Sequence, residues 1–145
     1  MEYRKTMSDD VVKISMNTEF QKAICDAVTP KEQRYFVSCY IKTNLIGKYM
    51  TGDGRIVVIN GTTADKFTHL APEIKLRVVP RLRRLIRTGQ LINIVDTPGH
   101  KKFCKMAYYR VKFSIYGVVY VGDLNIGIMP NGTSTLYDLN PFNLK

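Results

Sequence analysis

Residues 108–128, YYRVKFSIYGVVYVGDLNIGI, carry the periodic pattern from which the fold class is predicted. Apolar residues alternate with polar or basic ones up to Tyr116, and the alternation resumes after Gly117 with apolar residues at even positions. Strict alternation is typical of half-buried strands, and Tyr116-Gly117 predicts the turn that joins them. A turn at residues 130–132 and a strand over residues 133–139 follow. The sequence therefore predicts an antiparallel meander of about four strands at the C-terminal end.

Helices are predicted ahead of this meander. Thr18 and Gln21 have the spacing of a capping box, and Thr29-Pro30-Lys31-Glu32 combines a threonine cap, a proline in the first turn and a glutamate three residues after the cap. A third helix is predicted over about residues 78–88. The expected fold is α+β, with N-terminal helices packed on a C-terminal antiparallel meander. Residues 1–16 are interpreted as an N-terminal extension, and residues 17–145 as a single basic domain.

The positive charge is concentrated in one segment. The 145 residues carry a formal net charge of +10. Residues 74–112 contain eleven basic residues and one acidic residue, Asp96, so the rest of the chain has eleven of each sign. Such an asymmetry favours a binding surface for a polyanion over a general solubility device. RNA or another nucleic acid is the expected partner.

Other features narrow the class of protein. No apolar run approaches the roughly 18 residues that span a bilayer, and the polar N-terminus is not typical of a secretory signal. Cys25, Cys39 and Cys104 lack CxxC spacing, which favours reduced thiols in a cytoplasmic protein. The two histidines and the scattered carboxylates form no metal-binding pattern. We therefore expect no cofactor, no metal and no membrane partner.

Several short sequence motifs are spread over the chain: residues 44–48, NLIGK; residues 54–59, GRIVVI; Lys66; residues 79–87; His100-Lys101-Lys102; residues 108–111, YYRV; and Leu136-Tyr137-Asp138. Together they resemble the domains of phage polyvalent proteins, which are similar to the barnase–EndoU–colicin–RelE (BECR) superfamily of toxin ribonucleases. The resemblance covers about residues 30–140. It implies helices packed on a four-stranded meander, metal-independent RNA cleavage, a toxin or mobile-element setting, and a protein antitoxin or immunity partner.

The candidate catalytic residues follow from the chemistry of metal-free RNA cleavage. That reaction needs a base, an acid and a cation near the phosphate. Histidine suits proton transfer near neutral pH, and the chain has only His69 and His100. Arg110, on the polar face of a strand, is the candidate phosphate ligand, and Tyr137 is a candidate for orienting a phosphate or a base. The candidate nucleic-acid-binding residues are Arg81, Arg84, Arg87, Lys101, Lys102 and Lys112.

Two alternatives to a ribonuclease remain open at this point. The first is a non-catalytic, phage-encoded basic protein that inhibits a host nucleic-acid-guided defence complex by occupying its nucleic-acid groove or its RNA. The second is a module that binds the acidic surface of another protein. Both explain the charge of residues 74–112 without requiring proton transfer.

Overall fold

The computed structural model describes residues 11–143, which form seven strands and five α-helices. In chain order these are β1 (Val12–Lys13), α1 (Glu19–Asp26), α2 (Pro30–Asn44), β2 (Gly47–Met50), β3 (Ile56–Ile59), α3 (Gly61–Thr68), α4 (Glu73–Arg77), a 3₁₀ turn (Val79–Arg81), α5 (Leu82–Thr88), β4 (Gln90–Asp96), β5 (Lys105–Ile115), β6 (Val118–Ile128) and β7 (Ser134–Asn143).

All seven strands belong to one mixed sheet. Its order is β1-β5-β6-β7-β3-β2, and β4 pairs with β5 along the same edge as β1. The pairs β4–β5, β5–β6, β6–β7 and β2–β3 are antiparallel, whereas β1–β5 and β3–β7 are parallel. Because β3 pairs with β7, the strands β2 and β3 from the N-terminal half of the chain belong to the same sheet as β4 to β7 from the C-terminal half.

The predicted fold class is therefore wrong. The sheet is not a four-stranded meander covered by preceding helices, because β1, β2 and β3 also belong to it. Three helices, α3, α4 and α5, lie in the chain between β3 and β4. The architecture is mixed α/β. The decisive contacts join β3 to β7 across more than seventy residues of chain, and such long-range pairing leaves no local pattern in the sequence.

Several predicted local features are confirmed. Thr18 caps α1, accepting a hydrogen bond from the Gln21 backbone. Thr29 and Glu32 form the reciprocal capping box at the start of α2, and Pro30 is its first residue. Tyr116 and Gly117 both have positive φ and turn β5 into β6, as the two-residue hairpin with right-handed strand twist requires. Local chemistry thus fixes these ends and turns independently of the overall topology.

The sheet has an inner face that packs against the helices and an outer face. Alternate residues of β5, including Tyr109, Val111 and Phe113, are buried on the inner face in one core with residues of all the helices. The outer face of β5 carries Tyr108, Arg110 and Lys112, which are half-buried. Within residues 11–143, no helix combines the length and the apolar character needed to cross a bilayer.

Candidate functional site

The loop between β4 and β5, residues 97–104, is held in a closed shape by its own hydrogen bonds. The Thr97 backbone donates to the Cys104 carbonyl at 3.0 Å, and the Thr97 hydroxyl donates to the Phe103 carbonyl at 2.7 Å. The His100 backbone donates to the Thr97 carbonyl at 3.0 Å. Pro98 occupies the second position of this turn, where its fixed φ is favoured. His100 therefore lies in a loop whose conformation is fixed by internal hydrogen bonds.

Three rings meet where this loop packs against β7. The ring centroids of His100 and Phe103 are 5.1 Å apart, those of Phe103 and Tyr137 are 5.3 Å apart, and those of His100 and Tyr137 are 5.6 Å apart. Phe103 is buried on the outer face against Gly127, where an added Cβ would stand within 2.6 Å of the ring. Gly127 thus permits the close approach that places His100 beside Tyr137.

Two lysines complete this group of side chains. Lys66 of α3 places its Nζ 5.2 Å from the centroid of the Tyr137 ring. Lys102 places its Nζ 5.8 Å from the centroid of the Phe103 ring and 3.5 Å from the hydroxyl of Thr62, also in α3. We call His100, Lys102, Phe103, Tyr137 and Lys66 the His100 cluster. Its members come from a loop, a helix and a strand, so tertiary structure alone assembles it.

A buried ion pair lies next to the His100 cluster. Asp138 accepts a short hydrogen bond from Lys75, and its other oxygen is 3.9 Å from Lys66 Nζ. Burial lowers the pKa of Lys75, because the low-dielectric interior disfavours the ammonium, and hydrogen bonding to Asp138 opposes this. The register of β6 with β7 shifts here, so that Asn125 pairs with Asp138 and Ile126 with Leu136. Tyr137 is the extra residue of a bulge, a feature that redirects side chains.

The two nitrogens of His100 have different environments. Nδ1 accepts hydrogen bonds from the backbone N–H groups of Lys102 and Phe103 at 3.1 and 3.2 Å. A nitrogen that accepts two N–H groups carries no proton, so in the neutral ring the proton is on Nε2. The side chain of His100 is exposed. This arrangement makes Nε2–H a hydrogen-bond donor suited to a phosphate or carbonyl oxygen.

The other predicted catalytic residues lie elsewhere. His69 is exposed at the C-terminal cap of α3, and within the described part of the chain no contact joins its side chain to the His100 cluster. Arg110 donates through Nε to Asp123 on the neighbouring strand at 2.6 Å. Its guanidinium is therefore already engaged with a carboxylate. Lys112 is half-buried on the same outer face.

The predicted nucleic-acid ligands fall into two groups. Lys101 and Lys102 are exposed in the loop of the His100 cluster. Arg81, Arg84 and Arg87 are exposed on the 3₁₀ turn and α5, together with Arg83, whose guanidinium lies 5.7 Å from the centroid of the Tyr49 ring. Among residues 11–143, none of these four arginines makes an ion pair with a carboxylate. An unneutralised row of arginines suits a phosphate backbone.

Sequence reasoning missed three residues around the site. Lys66 and Asp138 entered only within the motifs of the resemblance, and Lys75 was counted only as one of the basic residues of the segment 74–112. Asp138 follows Tyr137 directly in the sequence. A carboxylate next to a candidate site residue could therefore have been predicted to lie near the site. Nothing local indicated that Lys75 is buried, because its neighbours in the chain do not distinguish it from the exposed arginines that follow.

The sequence matches one protein family over most of its length. Residues 29–137 match the family described as large polyvalent protein-associated domain 3, a phage-related domain. The chain belongs to this family. The matched span of this polyvalent protein-associated domain runs from the cap of α2 to Tyr137 and contains every member of the His100 cluster.

The family match confirms the phage polyvalent-protein part of the resemblance and leaves the relation to BECR ribonucleases unconfirmed. No curated protein and no solved structure shows a significant match to the chain. Within residues 11–143, no group of three or more histidine, cysteine, aspartate or glutamate side chains is placed to hold a metal ion.

Proposed function

We propose that this polyvalent protein-associated domain is a phage-encoded, cytoplasmic effector that binds RNA and cleaves it without a metal ion, by chemistry of the BECR type. One observation carries the proposal. His100 and Lys102 of one loop lie together at the surface with two residues that are distant in the chain, Lys66 of α3 and Tyr137 of β7. A histidine, a phenol and two ammonium groups can supply the proton transfer and the positive charge that metal-free phosphodiester cleavage requires.

The geometry suggests a role for each group. Lys66 and Lys102 neutralise the phosphate as charge develops on its oxygens. His100, with its proton on Nε2, donates to a phosphate oxygen while the backbone fixes its orientation. The Tyr137 hydroxyl passes the 2′-hydroxyl proton on to a non-bridging phosphate oxygen, and the Lys66 ammonium, besides contributing its charge, gives a proton to the leaving 5′-oxygen. The exposed arginines of α5 hold the flanking phosphates.

The test is cleavage of a labelled RNA in the presence of EDTA. Tyr137→Phe removes only a hydroxyl, and we expect it to reduce the rate by about a hundredfold, the usual scale of a lost proton-transfer group. Lys66→Ala and His100→Ala should reduce it at least as much. Tyr35→Phe and Lys31→Ala are matched controls, since both residues are exposed outside the cluster. His69→Ala tests whether the second histidine takes part.

Two outcomes would contradict cleavage at this site. The first is that the wild-type chain leaves RNA intact in EDTA. The second is that Tyr137→Phe, Lys66→Ala and His100→Ala all cleave at the wild-type rate while remaining folded. Circular dichroism and a urea unfolding curve for each variant separate loss of chemistry from loss of structure.

A second candidate function is RNA binding without cleavage, as in an inhibitor of a nucleic-acid-guided defence complex. One observation favours it: Nδ1 of His100 accepts two backbone N–H groups, so the ring cannot act as a base at Nε2 without giving them up. Salt-dependent binding with no turnover in any buffer would support this candidate over the ribonuclease.

A further inference from the structure

The edge strand β4 is apolar, uncharged over most of its length and open on one side. Within residues 11–143 it pairs only with β5. Leu91, Ile92 and Ile94 are 38, 49 and 40% exposed. The strand contains no lysine, arginine or proline, and its single acidic residue, Asp96, is its last. Natural proteins usually protect such edges with charges or proline, because the unpaired backbone groups pair readily with another strand.

One feature of β4 limits where a partner can pair. The register with β5 shifts between Leu91 and Asn93, so Ile92 lies in a bulge. A bulge interrupts regular pairing locally. The remaining residues, Asn93–Asp96, pair with β5 in regular register opposite Tyr108–Lys105. This regular part of the edge also carries Ile94 and ends beside the loop of residues 97–104.

Basic side chains stand at both ends of this edge. Arg87 of α5 precedes β4 by three residues, and Lys101 lies in the loop that closes the β4–β5 hairpin. Both are exposed, and within the described residues neither forms an ion pair. A strand rises about 3.3 Å per residue, so the seven residues of β4 span about 20 Å between the ends at which these two residues follow in the chain. The edge itself is neutral, because Asp96 pairs with Lys105 at 2.8 Å.

We propose that β4 is a docking edge for an extended segment of another protein, which adds a strand to the sheet and carries acidic residues at its two ends. Backbone hydrogen bonds along Asn93–Asp96 and apolar contact with Ile94 would supply the affinity. The basic residues at both ends would select acidic flanks and disfavour a second copy of this basic chain, which carries a net charge of +10. This proposal is independent of RNA cleavage.

The test measures binding of a fluorescein-labelled peptide, Glu-Glu-Val-Thr-Val-Thr-Val-Glu-Glu, to the full chain by anisotropy. A peptide with lysine in place of each glutamate tests the charge requirement. A peptide with N-methyl groups on alternate central residues tests the backbone pairing. Binding should be lost with either control peptide. Amide hydrogen exchange in residues 90–96 should slow by about tenfold when the acidic peptide is bound.

Variants of the chain locate the site. Ile94→Lys places an ammonium on the regular part of the edge. We expect this substitution to weaken binding of the acidic peptide by about tenfold, because strand pairing would desolvate the charge. Ile56→Lys is the matched control, since Ile56 is 46% exposed on β3. The proposal is overturned if Ile94→Lys binds as well as the wild type, or if the lysine peptide binds equally. It is also overturned if protection of residues 90–96 rises with chain concentration without peptide, which would make a second copy the occupant.

Discussion

Two neighbouring helices of the basic segment use their charges in opposite ways. In α4, Lys75 and Arg77 are buried, at 6 and 7% exposure, and each is paired with a carboxylate. In the 3₁₀ turn and α5, which follow directly, Arg81, Arg84 and Arg87 are exposed with no carboxylate partner in the described chain. Charge that is continuous in the sequence is thus divided into a structural part and a part available to a ligand.

The contacts of Arg77 show how the structural part works. Its guanidinium donates to Glu73 at 2.6 and 2.9 Å and to the Gln21 side chain at 2.8 Å, while Gln21 donates to the Arg77 carbonyl. These bonds fasten α4 to α1. Lys75 does the same between α4 and β7 through Asp138. A buried charge of this kind needs all of its partners, because desolvation makes an unpaired one costly.

The largest expected effect comes from removing Lys75. Lys75→Ala should lower the free energy of unfolding by about 3 kcal/mol, because it leaves the mostly buried carboxylate of Asp138 without its closest partner. Arg87→Ala should change it by less than about 0.5 kcal/mol, as expected for an exposed side chain. Urea unfolding monitored by circular dichroism measures both. Equal effects of the two substitutions would remove the distinction between the two helices.

The exposed arginines should show the opposite behaviour in binding. Replacing Arg81, Arg84 and Arg87 by alanine should weaken RNA binding and reduce the slope of log K against log salt by about 0.7 for each arginine that contacts a phosphate of a single strand. The unfolding free energy should hardly change. Fluorescence anisotropy with a labelled RNA across a salt series measures the slope. An unchanged slope in the triple variant would show that RNA does not contact α5.

The sequence predicted features that depend on neighbours in the chain. The capping box of α2 and the hairpin at Tyr116-Gly117 are of this kind. The pairing of Arg110 with Asp123 was also within reach, since a two-residue turn at positions 116 and 117 sets residue 110 opposite residue 123. Applying that register would have shown that Arg110 faces a carboxylate and is a weaker candidate for holding a phosphate.

Features that depend on tertiary structure could not be predicted in this way. His100, Lys102 and Tyr137 were chosen for their chemistry, but their proximity results from the position of β7 and from the space that Gly127 leaves for Phe103. The helix α3, which supplies Lys66, has no strong apolar periodicity in its sequence, TTADKFT after Gly61. Burial of Lys75 likewise results from packing against Phe67 of the preceding helix and against Asp138, which is 63 residues away in the chain.

The smallest predicted effect concerns the pH dependence of the Glu73–Arg77 pair. The hydrogen bond from Arg77 is the main cause of a lowered pKa for Glu73, below its ordinary value of 4.5. A carboxyl with a depressed folded-state pKa contributes stability above its unfolded pKa and loses it as the pH falls through the folded value. The wild type should therefore lose stability below about pH 4.5 relative to Glu73→Gln.

The size of this effect is limited by solvent, because the Glu73 side chain is 50% exposed. We expect a difference of at most about 0.5 kcal/mol between the two unfolding curves over this range, as for other exposed pairs. The buried end of the interaction, Arg77, remains bonded to Gln21 in Glu73→Gln, so the variant should stay folded. A difference in unfolding free energy as large as that expected for Lys75→Ala would contradict this prediction. It would show that Glu73 behaves like the buried charges of α4 and not like an exposed side chain.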